Sequence, residues 1–260
     1  TGPLHLGHTR WAAVGDSLAR ILSAAGAQVS REFYVNDRGN QMDLFGASLR
    51  AAALGKARPE DGYHGEYIED LAKEIVKSNP QITQLAESES ISAFTQAGYK
   101  LQLEQQRKVL DNFGTHFDTW FSERSLYEDN FFNHSLDKLK KEGHVFEQEG
   151  AIWLRTTDFG DDKDRVMIKS DGTFAYFASD SAYYVSKRER GFNLCIYMLG
   201  ADHHGYVGRI KALAACAGDD PEKDVEVLIG QMVKIIEDGA ELKLSKNIGI
   251  SAIKTKELEM

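Results

Sequence analysis

No stretch of the chain is apolar for the roughly 18 residues that a membrane-crossing helix needs, so no membrane span is expected. Cysteine is scarce: Cys195 and Cys216, both in apolar stretches, are the only two in 260 residues. Such a pair reads as packing residues kept reduced in the cytosol, not as a disulfide framework. Positive charge is in deficit, with 31 Lys and Arg against 40 Asp and Glu and a formal net charge of −9. That argues against a globally basic nucleic-acid binder and leaves room for a local basic patch. The first residues form neither a signal peptide nor an Arg-rich transit sequence. Internal repeats and low-complexity tracts are also lacking. What remains is ordinary for a soluble globular protein: 42% hydrophobic and 27% charged residues. The length suffices for a sizeable core, as one large domain or as a domain carrying an insertion.

The chain opens on Thr1-Gly2-Pro3-Leu4-His5-Leu6-Gly7-His8. Behind it Val14, Leu18, Ile21 and Leu22 recur at helical spacing, and Gly26 supplies a stop. Residues 29–35 alternate as a strand. Loop, helix and strand make the second half of a βαβ unit whose first strand is expected just before Thr1. From Gln41 to about Asn130 the pattern turns helical. Leu44, Phe45, Leu49 and Ala52 mark one helix, residues 56–65 a polar loop, and Tyr67, Ile68, Leu71, Ala72, Ile75 and Val76 a second apolar face. Asn79-Pro80 breaks it before a long polar helix that runs to Phe113. Short strands are expected at Val145-Phe146, residues 151–154 and residues 165–168, with Asp161-Asp162-Lys163-Asp164 a solvated hairpin turn and no metal site. Asp171-Gly172 is a turn signal. Leu194 to Leu199, ending in Gly200, has the continuous apolar character of a buried parallel strand, as does Val225 to Ile229. Between them Val207, Ile210, Leu213, Ala214 and Ala217 describe an amphipathic helix ending at Gly218, a second βαβ pattern.

Four constellations carry chemistry. In His5-Leu6-Gly7-His8 the glycine allows close approach to a polyphosphate, and imidazoles and helix N-terminal N–H groups supply donors. In Lys243-Leu244-Ser245-Lys246 two ammonium groups after a strand can follow charge onto a departing pyrophosphate. Tyr176 and Asp180, four apart, share a helix face if residues 175–190 are helical. A carboxylate beside a phenol there can grip a guanidinium or ammonium group; a core Tyr with a surface Asp is the structural alternative. Gly200-Ala201-Asp202-His203-His204-Gly205 follows a parallel strand, where open α/β sheets bind ligands, and its Asp can take ribose hydroxyls. Asp-His-His also invites a metal, although the carboxylate cluster of a two-metal site is missing nearby.

With these residues assembled, the chain resembles class I aminoacyl-tRNA synthetases, most closely those specific for arginine. His5-Leu6-Gly7-His8 is similar to that class's HIGH signature and Lys243-Leu244-Ser245-Lys246 to its KMSKS loop. Residues 34–41 (Tyr-Val-Asn-Asp-Arg-Gly-Asn-Gln), 153–162 (Trp-Leu-Arg-Thr-Thr-Asp-Phe-Gly-Asp-Asp) and 199–206 (Leu-Gly-Ala-Asp-His-His-Gly-Tyr) resemble arginine-type blocks, and the likeness runs through essentially the whole chain.

The resemblance implies an α/β fold, a doubly wound parallel nucleotide-binding (Rossmann-like) sheet interrupted by a helical connective insertion. Residues 1–40 are expected to form the first half of the catalytic domain, 41–130 the insertion and 131–260 the second half. The upstream strand with its Ser-x-Asn-Pro-like segment, the N-terminal tRNA-elbow domain and the anticodon-binding domain would lie outside the chain. The reaction implied is activation of L-arginine by Mg-ATP to arginyl-adenylate, then transfer to the 3′ end of tRNA(Arg), with tRNA generally required for activation. His5, His8, Lys243 and Lys246 would be catalytic; Gly7, Gly200, Asp202 and Ser245 would bind ATP; Tyr176, Asp180, His203 and Asn36 would bind arginine. No tightly bound cofactor, no resident metal and no membrane are expected, and a cytoplasmic monomer is. The alternatives are an ATP- and arginine-binding fragment that does not charge tRNA, another adenylyl-transferring ligase, and a metal-dependent phosphoesterase built on Asp202-His203-His204.

Overall fold

The computed structural model describes residues 2–4, 6–128, 130–203, 205–231, 233, 235–237 and 240–242. The contacts divide the chain into two compact units, one of residues 1–121 with 233–260 and the other of residues 122–232.

The first unit opens on helix α1 (Leu6–Ala24), which is followed by Gly26 in a left-handed conformation (φ 92°). One inward residue of α1 is charged. Asp16 is buried and bonded by Arg20 Nε at 2.5 Å and by Arg31 Nη1 at 2.9 Å. Burial alone would raise its carboxyl, but the two guanidinium bonds outweigh burial and hold it below the ordinary range. Val14 and Ile21, expected on the apolar face of this helix, are exposed, 41% and 65%. Arg31 also takes part at the sheet. Its backbone N–H donates to Asp118 Oδ2 (2.7 Å), and its carbonyl accepts from the amides of Asp118 and Thr119. These bonds set strand β1 (Glu32–Val35) beside β2 (Thr119–Ser122), where Phe33 stacks on Trp120 at 4.6 Å and Arg107 lies over the Trp120 ring.

Helices α2 (Asn40–Ala53), α3 (Glu66–Ser78) and α4 (Glu87–Asn112) form the core of this unit, with a 3-10 turn at Pro80–Gln84 where the expected break falls. Phe45, Leu49, Ile68, Leu71, Ile75, Ile82 and Phe94 are almost fully buried there. The apolar spacing read from the sequence is the spacing of that core. Two glycines let α2 and α4 approach closely. A Cβ on Gly46 would meet the Ile91 carbonyl oxygen at 2.7 Å and Thr95 Oγ1 closer still, and one on Gly98 would run into Leu49 and Phe45. Strands β8 (Ile235–Glu237) and β9 (Ala240–Leu242) pair as an antiparallel hairpin.

The second unit begins with α5 (Ser125–Glu128) and α6 (Phe131–Lys141), then an antiparallel sheet of β3 (Val145–Gln148), β4 (Ala151–Leu154) and β5 (Arg165–Ile168). All three strands were expected. The solvated turn at residues 161–164 needs correction. Asp161 has a side chain only 4% exposed and is gripped bidentately by Arg165, Nε to Oδ2 at 2.7 Å and Nη2 to Oδ1 at 2.6 Å. Burial would raise that carboxyl, and Arg165 reverses the effect and holds it low. The connection is longer than a hairpin turn because it contains a 3-10 turn at Thr156–Phe159, whose Thr156 Oγ1 donates to the Lys163 carbonyl (2.8 Å).

Helix α7 (Tyr176–Glu189) follows the Asp171-Gly172 turn, in which Gly172 takes φ 81°. Its fully buried Tyr184 donates to Asp219 Oδ2 (2.6 Å), and Arg188 bonds both oxygens of Asp219. Strand β6 (Cys195–Gly200), helix α8 (Tyr206–Cys216) and strand β7 (Val225–Gly230) complete the unit, β6 and β7 pairing in parallel as expected. Both strands were expected to be buried throughout. Cys195 and Val225 are, whereas the residues after them are half-buried or exposed, because among the described residues this sheet is two strands wide. Cys195 and Cys216 are buried free thiols, and burial pushes Cys216 up to about 12.

Gly46→Ala should destabilise the chain by about 1–3 kcal/mol, since backbone as well as side chain must give way. Gly208→Ala on α8, where nothing lies within 4 Å, should be neutral or slightly stabilising. Urea midpoints for the two variants against the parent would check this.

Candidate active site

In the first unit the site begins at the N-terminus of α1. The helix starts at Leu6, so Gly7 and His8 occupy its first turn, where N–H groups have no intrahelical acceptor and the helix dipole is positive. Anions are favoured there. Gln106 of α4 donates from Nε2 to the Gly2 carbonyl (2.8 Å), and Leu4 is buried, so α4 fixes the path along which the opening loop enters the helix. His8 is exposed and borders a cavity of about 370 Å3 whose lining also includes Asn36, just past the end of β1. Two expected site residues, His8 and Asn36, therefore border one cavity. His5 lies outside the described residues, and so do Lys243, Ser245 and Lys246, which follow β9 in the sequence.

In the second unit the site lies at the carboxyl end of the parallel pair. Gly200 is in register with Gly230, so both strands end without side chains and leave open backbone where a ligand can approach. A 3-10 turn, Ala201–His203, follows. It carries the backbone of Asp202; the side chain of Asp202 and all of His204 lie outside the described residues. The ring of His203 packs edge-on against Tyr206 at 5.5 Å, and the guanidinium of Arg209 sits 4.4 Å above the same tyrosine ring.

Asp180 and Tyr176 are one turn apart on α7, as their spacing predicted. Their exposure is the reverse of a core tyrosine with a surface aspartate: Tyr176 is 94% exposed and Asp180 is half-buried. Burial pushes the Asp180 carboxyl up to about 6, with Arg209 opposing the shift and Glu123 adding to it. Arg209 acts on Asp180 through its charge without a hydrogen bond. Among the described residues Asp180 has no ion pair. It is a carboxylate short of a cation. Tyr206, Arg209 and Gly230 were missed from the sequence. The i, i+3 spacing of His203, Tyr206 and Arg209 was a usable signal for the first two.

A family model described as the catalytic domain of class I (R) tRNA synthetases matches residues 1–250. The chain belongs to this family. An arginine–tRNA ligase of Renibacterium salmoninarum is 55% identical over 249 residues, covering 96% of this chain and 45% of that protein. One from Paenarthrobacter aurescens is 51% identical over 258 residues, 99% of this chain and 46% of that protein. The chain thus spans just under half the length of these relatives. A crystal structure described as an arginyl-tRNA synthetase of Campylobacter jejuni superposes with a TM-score of 0.87 at 37% identity, covering 98% of this chain and 57% of that one. The arginyl-tRNA synthetase of Plasmodium falciparum, at TM-score 0.60 and 18% identity, shares the fold. The α/β, Rossmann-like class expected from the sequence is the class of this family. Membership leaves the phosphoesterase reading of Asp202-His203-His204 without support.

Asp180 gives a pH-dependent prediction. Its folded-state pKa, about 6, lies above the value near 4 of an unfolded aspartate. Stability from this group is therefore full below pH 4 and is lost as pH rises through 6. Asp180→Asn should be more stable than the parent at pH 7 by on the order of 2 kcal/mol, with the two converging at pH 4. Urea unfolding at both pH values measures this; equal differences at both would show that the carboxyl is not raised.

Proposed function

We propose that this chain carries the amino-acid-activation site of an arginine–tRNA ligase, making arginyl-adenylate from L-arginine and Mg-ATP and passing the arginyl group to the 3′ end of tRNA(Arg). The observation that carries the reading is Asp180, a half-buried carboxylate without an ion pair one turn from an exposed tyrosine. A guanidinium offers a planar fork of N–H donors that a carboxylate accepts bidentately, a geometry no ammonium reproduces. Tyr176, His203 and Asn36 serve the same ligand.

In the first step the arginine carboxylate attacks the α-phosphorus of ATP, and the bond to the bridging oxygen breaks as pyrophosphate leaves. Negative charge grows on the pentavalent centre and the leaving group. His5, Gly7 and His8 at the positive end of α1 meet the phosphates, and Lys243 and Lys246, with Ser245, follow charge onto pyrophosphate. Mg2+ enters with the nucleotide as part of the substrate. Gly200 and Asp202 hold the ribose, with Gly230 completing the open backbone beside them. In the second step the 2′-hydroxyl of the terminal adenosine attacks the arginyl carbonyl and AMP leaves. Residues 1–40 and 131–260 act as the halves of the catalytic domain and 41–130 as its insertion, in a cytoplasmic monomer.

Arginine-dependent pyrophosphate exchange in the presence of tRNA is the test. His8→Ala should lower exchange by about 100- to 1000-fold while arginine binding stays near the parent's. Asp180→Asn should weaken arginine binding by about 10- to 100-fold. In the parent, arginine affinity should rise about tenfold per pH unit below 6 and level off above it, because the cation binds the ionised carboxylate. Calorimetric titration with arginine between pH 5 and 8 would read the slope. Binding of ATP and arginine without exchange would make this a binding fragment.

A further inference from the structure

Arg209 of α8 is a half-buried guanidinium with no ion pair among the described residues. Its Nε is closed off from solvent and meets no hydrogen-bond acceptor there. What it has instead is a ring: its Cζ lies 4.4 Å from the centre of Tyr206, which is backed in turn by the His203 ring at 5.5 Å. A guanidinium is attracted to an aromatic face, and more strongly where water is excluded. Asp180 of α7 feels the charge of Arg209 but accepts no hydrogen bond from it. Two opposite charges thus act on each other, and the fold keeps them from closing into a bond. We propose, on the basis of the arginine-activation reading, that Arg209 is a positioning residue for the substrate guanidinium. Stacked on Tyr206, it acts on Asp180 without occupying the carboxylate.

Elsewhere in the same unit an arginine near an aspartate closes on it. Arg165 grips both oxygens of Asp161, and Arg188 both oxygens of Asp219. Arg209 is held off by an aromatic ring, and the arrangement serves both needs of the site. A carboxylate must be ionised to accept the fork of a guanidinium. Burial and the charge of Glu123 push Asp180 toward its protonated form, and Arg209 is the charge that opposes them. A bonded Arg209 would hold the carboxylate ionised more firmly but would fill it. The substrate would then have to displace a resident guanidinium, and affinity would fall in proportion to the fraction of molecules left open.

The test reads the carboxyl and the ligand separately, on the whole chain. Nuclear magnetic resonance titration of the aspartate carboxyl carbons, with Asp180→Asn to assign the signal, follows ionisation without arginine. Calorimetry at pH 8 follows arginine binding. Arg209→Met should move the Asp180 titration to higher pH, because the charge opposing burial is gone. Tyr206→Leu removes the ring and frees the guanidinium to close on Asp180. It should move the titration to lower pH and weaken arginine binding about tenfold. Tyr206→Phe keeps the ring and should restore both readouts. In the Arg209→Met background, Tyr206→Leu should no longer weaken arginine binding. An Asp180 titration unmoved by Arg209→Met overturns the assignment, whether or not Tyr206→Leu folds. So does a Tyr206→Leu effect on arginine as large without Arg209 as with it, since the ring would then be merely structural. A parent whose Asp180 responds in this way but which binds no arginine would overturn the activation reading and leave the restraint of Arg209 by Tyr206 standing.

Discussion

The bond between Asp16 and Arg31 is the constraint on which the first half of the site depends. It joins the body of α1 to the residue that leads into β1, and Arg31 in turn holds the segment that enters β2. A phosphate-binding helix end has value only if it is aimed, since its dipole effect fades within the first turn. Here the aim is set at two points. Asp16 fixes the middle of α1, and Gln106 fixes the loop that enters it. The apolar positions of the same helix, Val14 and Ile21, yield the interior to a charged residue. A buried ion pair seldom adds net stability over a well-packed apolar pair, but it does define one geometry. A site that must place donors against a polyphosphate needs that definition more than it needs extra stability.

Three aspartates of the molecule follow different courses, and the difference lies in whether a guanidinium reaches them. Asp16 and Asp161 both have buried carboxylates, yet both are held below the ordinary range because Arg20, Arg31 and Arg165 bond them directly. Asp180 titrates higher, at about 6, because burial raises it and Arg209 opposes that only through its charge. Arg209 instead lies on the Tyr206 ring, which packs against His203. The fold thus bonds Asp16 and Asp161 internally and leaves Asp180, on α7, without an ion pair among the described residues. An unfilled charge at a half-buried position costs stability in the empty protein, and a cationic ligand is what recovers it.

Much of this was legible because periodicity survives folding. The α3 face, the break at Asn79-Pro80 and the strands of the second unit are local patterns with local causes. The parallel pairing of β6 with β7 followed from two apolar runs with a helix between them. What could not be read depended on partners remote in sequence or hidden by a polar helix pattern. Asp161 looked solvated amid four charged residues, and only the return of Arg165 beneath the 3-10 turn buries it. Gln102 sat in what read as a long polar helix, where Tyr99, Gln102 and Gln106 gave no apolar period to mark an inward face. Gly230 became informative only once the register set it opposite Gly200.

The two units differ in the charge of what they offer, and that difference bears on how the proposed reaction sorts its reactants. The cavity of the first unit is lined without carboxylates or strong cations, and it adjoins a helix end that favours anions. The second unit presents an aspartate short of a cation beside a ring network that already tolerates a guanidinium. Arginine is cationic at its side chain, while the nucleotide pairs a neutral ring with an anionic tail. A guanidinium that strayed into the first cavity would lose its hydration without gaining a counter-ion, and a phosphate at Asp180 would meet a like charge. In the proposed reaction, desolvation and repulsion would keep the guanidinium and the phosphates apart as much as attraction would draw each to its own place. Such sorting would order the reactants before any catalytic group acts, and ordering is the first contribution positioning makes to rate.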